Sequence, residues 1–270
     1  MRVIGLILLL CLAMTAQAAS SGDIMFGGEL QQYLASALTL GALIGVCLLY
    51  LRGAKRTPVK RWQFWLFQAT LIVTIFTILG PLDDWAARSS ALHMTQHMML
   101  MVVIAPMFAL SKPLAQFYVA FAKWGKPLWD GLFKVTRYPM VCAYLHGFVI
   151  WFWHIPVFYM LALDNPWIHG LEHLCFLVTA VWFWWACLYA SPRKTPFALL
   201  ALLLTLMHTG FLGALLTFAG SPLYGEARHL QDQQLAGLLM WVLGGIPYIA
   251  ASLWAGNRWY KHLQRRIANA

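Results

Sequence analysis

The residues best suited to chemistry in this chain are its histidines. Six of the nine fall toward one end of the apolar segments that carry or border them: His93, His97, His154, His169, His173 and His229. Four of these form two i, i+4 pairs, His93/His97 and His169/His173, and residues four apart leave a helix from one face. Met101 shares the face of His93 and His97, with Met94 and Met98 beside it. Glu172 shares a face with His169 and His173, where it can be a ligand or can orient an imidazole. Imidazole suits copper, zinc and iron, whereas thioether sulfur favours Cu(I). The expected metal ligands are therefore His93, His97, His169 and His173, completed or oriented by His154 and Glu172. Met94, Met98 and Met101 are expected to form a soft approach path. Each type also has a plainer use. Methionine fills irregular gaps in a core, a carboxylate near a helix start favours the dipole, and a lone histidine in a membrane often bonds a neighbouring helix.

Apolar helices must carry these groups. The chain is 61% hydrophobic and 10% charged, with mean hydropathy +0.67; about 25% charged residues is usual for a soluble domain. The expected fold is all-α, a polytopic integral membrane bundle in a single domain over residues 19–270. Residues 1–18 read as a signal peptide, with Arg2, an apolar core and small residues at Ala16-Gln17-Ala18. The alternative is an uncleaved extra helix, although the apolar run is shorter than the ~20 residues that span a bilayer comfortably. Seven longer segments follow, at 30–51, 62–80, 91–111, 138–162, 168–190, 197–219 and 232–255, and each can cross the membrane.

Charge orients the bundle. Loops 52–61, 112–137 and 191–196 and the tail from 256 carry 16 of the 19 Lys and Arg, and the remainder are Arg2, Arg88 and Arg228. The positive-inside rule then predicts a cytoplasmic C-terminus and an extracytoplasmic mature N-terminus, with the histidine pairs on the outer side. The net charge of +10 is thus topological, and nucleic acid is excluded as a partner.

Other features are quieter. Cys47, Cys142, Cys175 and Cys187 lie in separate apolar stretches without C-x-x-C spacing and read as packing residues. The aromatic and lysine-rich connection 112–137 reads as an amphipathic segment at the cytoplasmic surface. Trp62, Trp65, Trp167, Trp182, Trp184, Trp185 and Trp259 read mostly as interfacial anchors. Gly41-x-x-x-Gly45 is a weak close-packing signal that allows a homodimer. Pro156, and Gly244-Gly245 with Pro247, are expected to bend their helices. His154 precedes Pro156 and lies about 13 Å below the outer end at ~1.5 Å per residue. His208 falls near the midplane, His146 in the inner half and His262 in the tail. Asp232-Gln233-Gln234 reads either as a helix cap or as a source of one hard ligand.

His93-Met94-x-x-His97 with Ala105-Pro106 and Lys112-Pro113, then Trp153-His154-Ile155-Pro156, resemble the CtaG-type, caa-type-associated cytochrome c oxidase assembly factors. So do His169-x-x-Glu172-His173 with Phe183-Trp184-Trp185, and the run from Asp232 to Trp241. The similarity covers about residues 30–255. It implies a multi-helix protein that helps make active haem–copper oxidase, plausibly by handling copper. Lys112-Pro113 departs from the Gly-Pro expected in many relatives.

The leading expectation is a non-enzymatic assembly factor of the bacterial inner membrane. It would hold or pass copper, with a haem–copper oxidase subunit or a periplasmic copper chaperone as partner. The second is a redox cytochrome, because paired histidines on different helices can ligate haem. Two haems stacked across a membrane, however, need pairs at two depths. The third is a metal permease, for which His146 and His208 are sparse material. No nucleophile–base arrangement suggests an enzyme.

Overall fold

A computed structural model describes residues 26–225 and 229–269, with no side-chain description at 26–29, 122–126 and 128. The expected signal peptide, its cleavage site and Arg228 lie outside the described residues. All regular structure among the described residues is helical. Among the described residues six helical stretches are long and apolar enough to cross a membrane: Leu30–Ala54, Arg61–Ala86, Ser90–Ser111, Pro166–Leu188, Thr195–Thr217 and Leu230–Ala268.

The fourth expected segment, 138–162, is not one helix. It divides into α7 (Pro139–Trp153) and α8 (Pro156–Asp164), bent by 73° at the break, so there are seven spans only if this pair counts as one. Pro156 is the cause. It lacks an N–H and its ring opposes continuation of the helix, while a proline at the first position of the next helix is unstrained. The bend ends the straight-helix count that placed His154 deep in the bundle. His154 is instead the C-terminal cap of α7, at the corner.

The remaining elements are α1 (Phe26–Ala54), α2 (Arg61–Ile78), α3 (Pro81–Ala86), α4 (Ser90–Met98), α5 (Ala105–Ser111), α6 (Leu114–Lys134), α9 (Pro166–Leu188), α10 (Thr195–Thr217), α11 (Leu230–Leu238) and α12 (Gly244–Ala268). A π-helical turn at Met99–Ile104 joins α4 to α5, and another at Leu239–Leu243 joins α11 to α12. Each precedes a proline, Pro106 or Pro247, that cannot supply its share of the hydrogen-bond ladder.

The first π turn shifts the register of the hydrogen bonds around it. The Ala105 N–H bonds the carbonyl of Leu100 rather than that of Met101. The Met101 carbonyl accepts instead from the Trp184 indole N–H at 2.7 Å. Trp184 is therefore buried, 2% exposed, and is no interfacial anchor. Trp62, Trp65 and Trp167 are exposed on their helices, as anchors would be.

Helix α9 is central, packed against α5, the first π turn, α7 and α8. Helices α4 and α11 lie together, as do α10 and α11. The α10–α11 crossing is backbone on backbone: a Cβ on Gly213 would stand 2.8 Å from the Gly237 carbonyl, and one on Gly237 would stand 2.6 Å from the Thr217 amide. Gly41 and Gly45, by contrast, close-pack nothing among the described residues. Helix α6 forms the expected amphipathic connection and lies along α1, with Phe117 buried against Tyr50 and Phe67. The four cysteines at 47, 142, 175 and 187 are free.

Candidate metal centre

The amino-terminal ends of α4 and α9 and the α7–α8 corner bring five histidines and Glu172 together. Each helix start is defined by its own chemistry. Asn165 caps α9, its side-chain oxygen accepting from the Trp167 and Ile168 amides at 2.9 and 3.3 Å, with Pro166 at the first helical position. His169, Glu172 and His173 then turn toward α4. Helix α4 has Ser89 as its N-cap, accepting from the Leu92 amide at 3.3 Å, and a second acceptor from another helix: the Asp232 carboxylate accepts from the Ser89 hydroxyl at 2.7 Å and from the Ser90 and Ala91 amides. Amides at a helix start favour an anion, and here α11 supplies it. The sequence is compatible with Asp232 as a cap of its own helix or as a ligand; the structure makes it the second acceptor at the start of the helix bearing His93 and His97.

His97 is the hub. Its ring centroid lies 4.2 Å from that of His93, 5.4 Å from His173 and 6.5 Å from His154. Its Nε2 stands 3.6 Å from Glu172 Oε2, with both side chains 1% exposed. His93 stacks on His169 at 5.3 Å, and His169 meets His173 at 4.1 Å. His93, His97, His169 and Glu172 each offer one ligating atom, and these atoms all lie within 4.8 Å of one another. Metal–ligand bonds of about 2.0–2.2 Å need only small adjustments from that spacing. The Nε2 atoms of His169 and His173, and Glu172 Oε2, have no hydrogen-bond partner among the described residues. Buried donors and acceptors are rarely left so, and a cation shared by His93, His97, His169 and Glu172 would satisfy those of His169 and Glu172. The residues present fit a transition-metal ion.

A softer pair flanks this set. His154 Nδ1 lies 2.7 Å from the Ile150 carbonyl, which can only accept, so in the neutral ring the proton sits there. Nε2 then turns its lone pair to Met94 Sδ, 3.3 Å away. A bare imidazole nitrogen beside a thioether suits Cu(I). Of the other methionines, Met98 reaches toward Gly244 on α12, and Met101 is buried in the main core behind the π turn. Met101 lies within the π turn, where the regular spacing that sets it above His97 ends. His173 touches the set without joining the tight group of four. His229 is exposed at the start of α11, away from the cluster.

Several positioning residues carried no signal in the sequence. Tyr159 on α8 packs edge-on to His93 at 5.2 Å and stacks on Tyr224 at 3.8 Å. The Tyr224 hydroxyl donates to the His154 carbonyl at 3.2 Å, so the loop after α10 roofs the corner. Gln233 and Gln234 hold that loop by bonding the Leu223 amide and the Ala219 carbonyl at 2.7 and 3.1 Å. Gln96, next to His97, donates to the Thr77 carbonyl and Asp83 at 2.9 and 2.6 Å. The only signal for these contacts was the polar run at 232–234 itself.

Searches of curated proteins and of solved structures each found no significant match. The model of one family, the cytochrome c oxidase caa3 assembly factors, matches residues 43–262. That stretch holds every residue of the histidine cluster and most of the chain, so this protein belongs to the caa3-type cytochrome c oxidase assembly factor family.

Proposed function

We propose that this protein binds copper at the His93/His97/His169/Glu172 centre and passes it to a haem–copper oxidase subunit during assembly. The observation that carries the reading is the convergence of three imidazoles and a carboxylate within 4.8 Å at one end of an apolar bundle. Copper is favoured over zinc or iron by the adjoining His154–Met94 pair, whose nitrogen and sulfur suit the cuprous ion. An ion is favoured over haem by crowding: ring centroids 4.1–5.4 Å apart leave little room for a macrocycle among them. Family membership supports the oxidase as destination and a non-catalytic role.

The centre faces the extracytoplasmic side of the inner membrane in this reading. The support is the polarity of α9, whose first turn carries His169. Its last carbonyls, at Leu188 and beyond at Ala190, accept from the Arg258 guanidinium at 3.0 and 2.9 Å. Basic residues thus collect at the end opposite the histidines, as the positive-inside rule expects of a cytoplasmic face. A periplasmic copper chaperone or the oxidase subunit itself would then meet the half-buried His169 first.

The test is copper content and oxidase activity of wild type beside His97→Ala. The variant should accumulate normally, lose most of its copper and lower the activity of the oxidase assembled with it. Equal copper in both proteins would remove the assignment. A Soret band in purified wild type, lost in the variant, would replace it with a cytochrome.

A further inference from the structure

A second pair of imidazoles lies deeper in the bundle. His146 on α7 is two helical turns, about 12 Å at 1.5 Å per residue, below His154. It is fully buried. His208 on α10 leans against α7 at Gly147: its Nε2 lies 2.9 Å from where a Cβ at 147 would stand. A Cβ at 147 would press on this ring, which stands beside the residue that follows His146 on α7.

The proton on His146 is assigned by its neighbour. The Thr179 hydroxyl donates to the Cys175 carbonyl at 2.8 Å, so its oxygen accepts from His146 Nδ1–H at 3.0 Å. Nε2 therefore carries a bare lone pair, and it has no partner among the described residues. Both nitrogens of His208 and the hydroxyl of buried Thr205, one turn away on α10, are likewise without partners among those residues. An outer group that fixes the tautomer of an imidazole while the other nitrogen stays open is the arrangement found behind metal-bound histidine.

We infer that His146 and His208 form a second metal site, separate from the outer centre, that takes Cu(I). Both donors are imidazoles, which bind a metal in their neutral form. A divalent ion would bring two uncompensated charges into the apolar interior and a cuprous ion only one. Cu(I) also accepts two nitrogen donors as a complete coordination sphere. A porphyrin does not fit, since the His208 ring already lies against the α7 backbone. The choice of copper rests on the reading of the outer centre; the pairing of the two rings does not. Helix α7 thereby offers the bundle imidazole donors at two depths, His154 at the corner and His146 below.

Cu(I) is titrated anaerobically against a chromophoric Cu(I) chelator, using full-length protein in detergent. Wild type is compared with the outer variant His97→Ala/His169→Ala and the inner variant His146→Gln/His208→Gln. Two copper ions are expected in wild type and one in each variant. X-ray absorption of the loaded outer variant should show two nitrogen neighbours at the short distances of two-coordinate Cu(I). Thr179→Val, which keeps both ligands and removes only the group orienting His146, should weaken the inner site about tenfold or more. It serves if the double variant does not fold. An inner variant that retains the full wild-type copper complement overturns the inference. So does a Thr179→Val protein with unchanged affinity at both sites. Wild type holding one copper that only the outer variant loses overturns it while sustaining the proposed function. One copper lost only from the inner variant sustains it and removes the outer reading. No copper in wild type overturns both.

Discussion

Glu172 separates a metal centre from a histidine cluster held by packing. A buried carboxylate in an apolar bundle needs a cation, and the nearest described base is His97 at 3.6 Å. If a metal supplies that cation, Glu172→Gln keeps shape and hydrogen-bonding capacity but removes the charge. Copper affinity should then fall about tenfold or more, the usual range for a coordination-shell substitution. Unchanged affinity by competition titration would leave Glu172 as a simple ion-pair partner of His97. At Lys112 the question is conformational. Its backbone is left-handed (φ 53°, ψ 50°), which explains why glycine is expected before Pro113 at this turn. A non-glycine residue there costs about 1–2 kcal/mol, which Lys112 partly offsets by placing Nζ 4.6 Å from the centroid of the Tyr189 ring, worth about 0.5–1 kcal/mol. Lys112→Gly should therefore be neutral or stabilising by up to about 1 kcal/mol in thermal unfolding. Lys112→Ile, which keeps the strain and loses the cation, should be clearly destabilising.

Among the elements, the short helices decide the site. Helix α4 is only nine residues long and carries two histidines, and its N-cap Ser89 is held in turn by Asp232 of α11. Asp232→Ala leaves the amides of Ser90 and Ala91 without that carboxylate. It should cost about 1–2 kcal/mol, the upper range for loss of a cap. Because the lost contacts aim α4, copper retention should fall with stability. Asp232→Asn, which keeps an acceptor oxygen, should recover most of both. If Asp232→Ala lowers copper affinity with no change in unfolding temperature, Asp232 acts on the metal rather than on the helix. The two π turns and the α7–α8 break share a cause in proline. At the first π turn and at the break, helical regularity ends near a side chain or carbonyl that the core or the site then uses: Met101 with Trp184, and His154 with Met94.

For the whole molecule, the division of charge is the testable property. Histidine cluster and Arg258 stand at opposite ends of α9, a helix of 23 residues spanning about 35 Å at 1.5 Å per residue. That is enough for the hydrocarbon core of a bilayer. A reporter active only in the cytoplasm should therefore be active when fused after Ala270 and inactive when inserted in the loop before α11. The reverse pattern would invert the bundle and put the copper centre on the cytoplasmic side. Of the six described spans, α1 has the least buried apolar window, at 11%. Substitutions on its outer face should disturb the centre least.

The periodicity of apolar residues was sufficient for the helical class and for the approximate position of each apolar segment, because burial in lipid imposes a length and a composition on every span. Spacing alone also paired His93 with His97 and His169 with His173, since four residues is a geometric property of one helix. Relations between helices lay beyond its reach. That α4 and α9 meet, that Glu172 faces His97, and that Asp232 bonds Ser89 across 143 residues of sequence depend on packing that no local pattern encodes. The proline at 156 signalled a bend, but its 73° size and the placement of His154 beside Met94 emerged only once α8 had folded back over α9. Met101 shows the limit most plainly. Its spacing from His97 is that of a regular α-helix, and only the structure shows that it lies inside a π turn and packs in the core. Local chemistry determined which residues could bind a metal, and tertiary contacts decided which of them met.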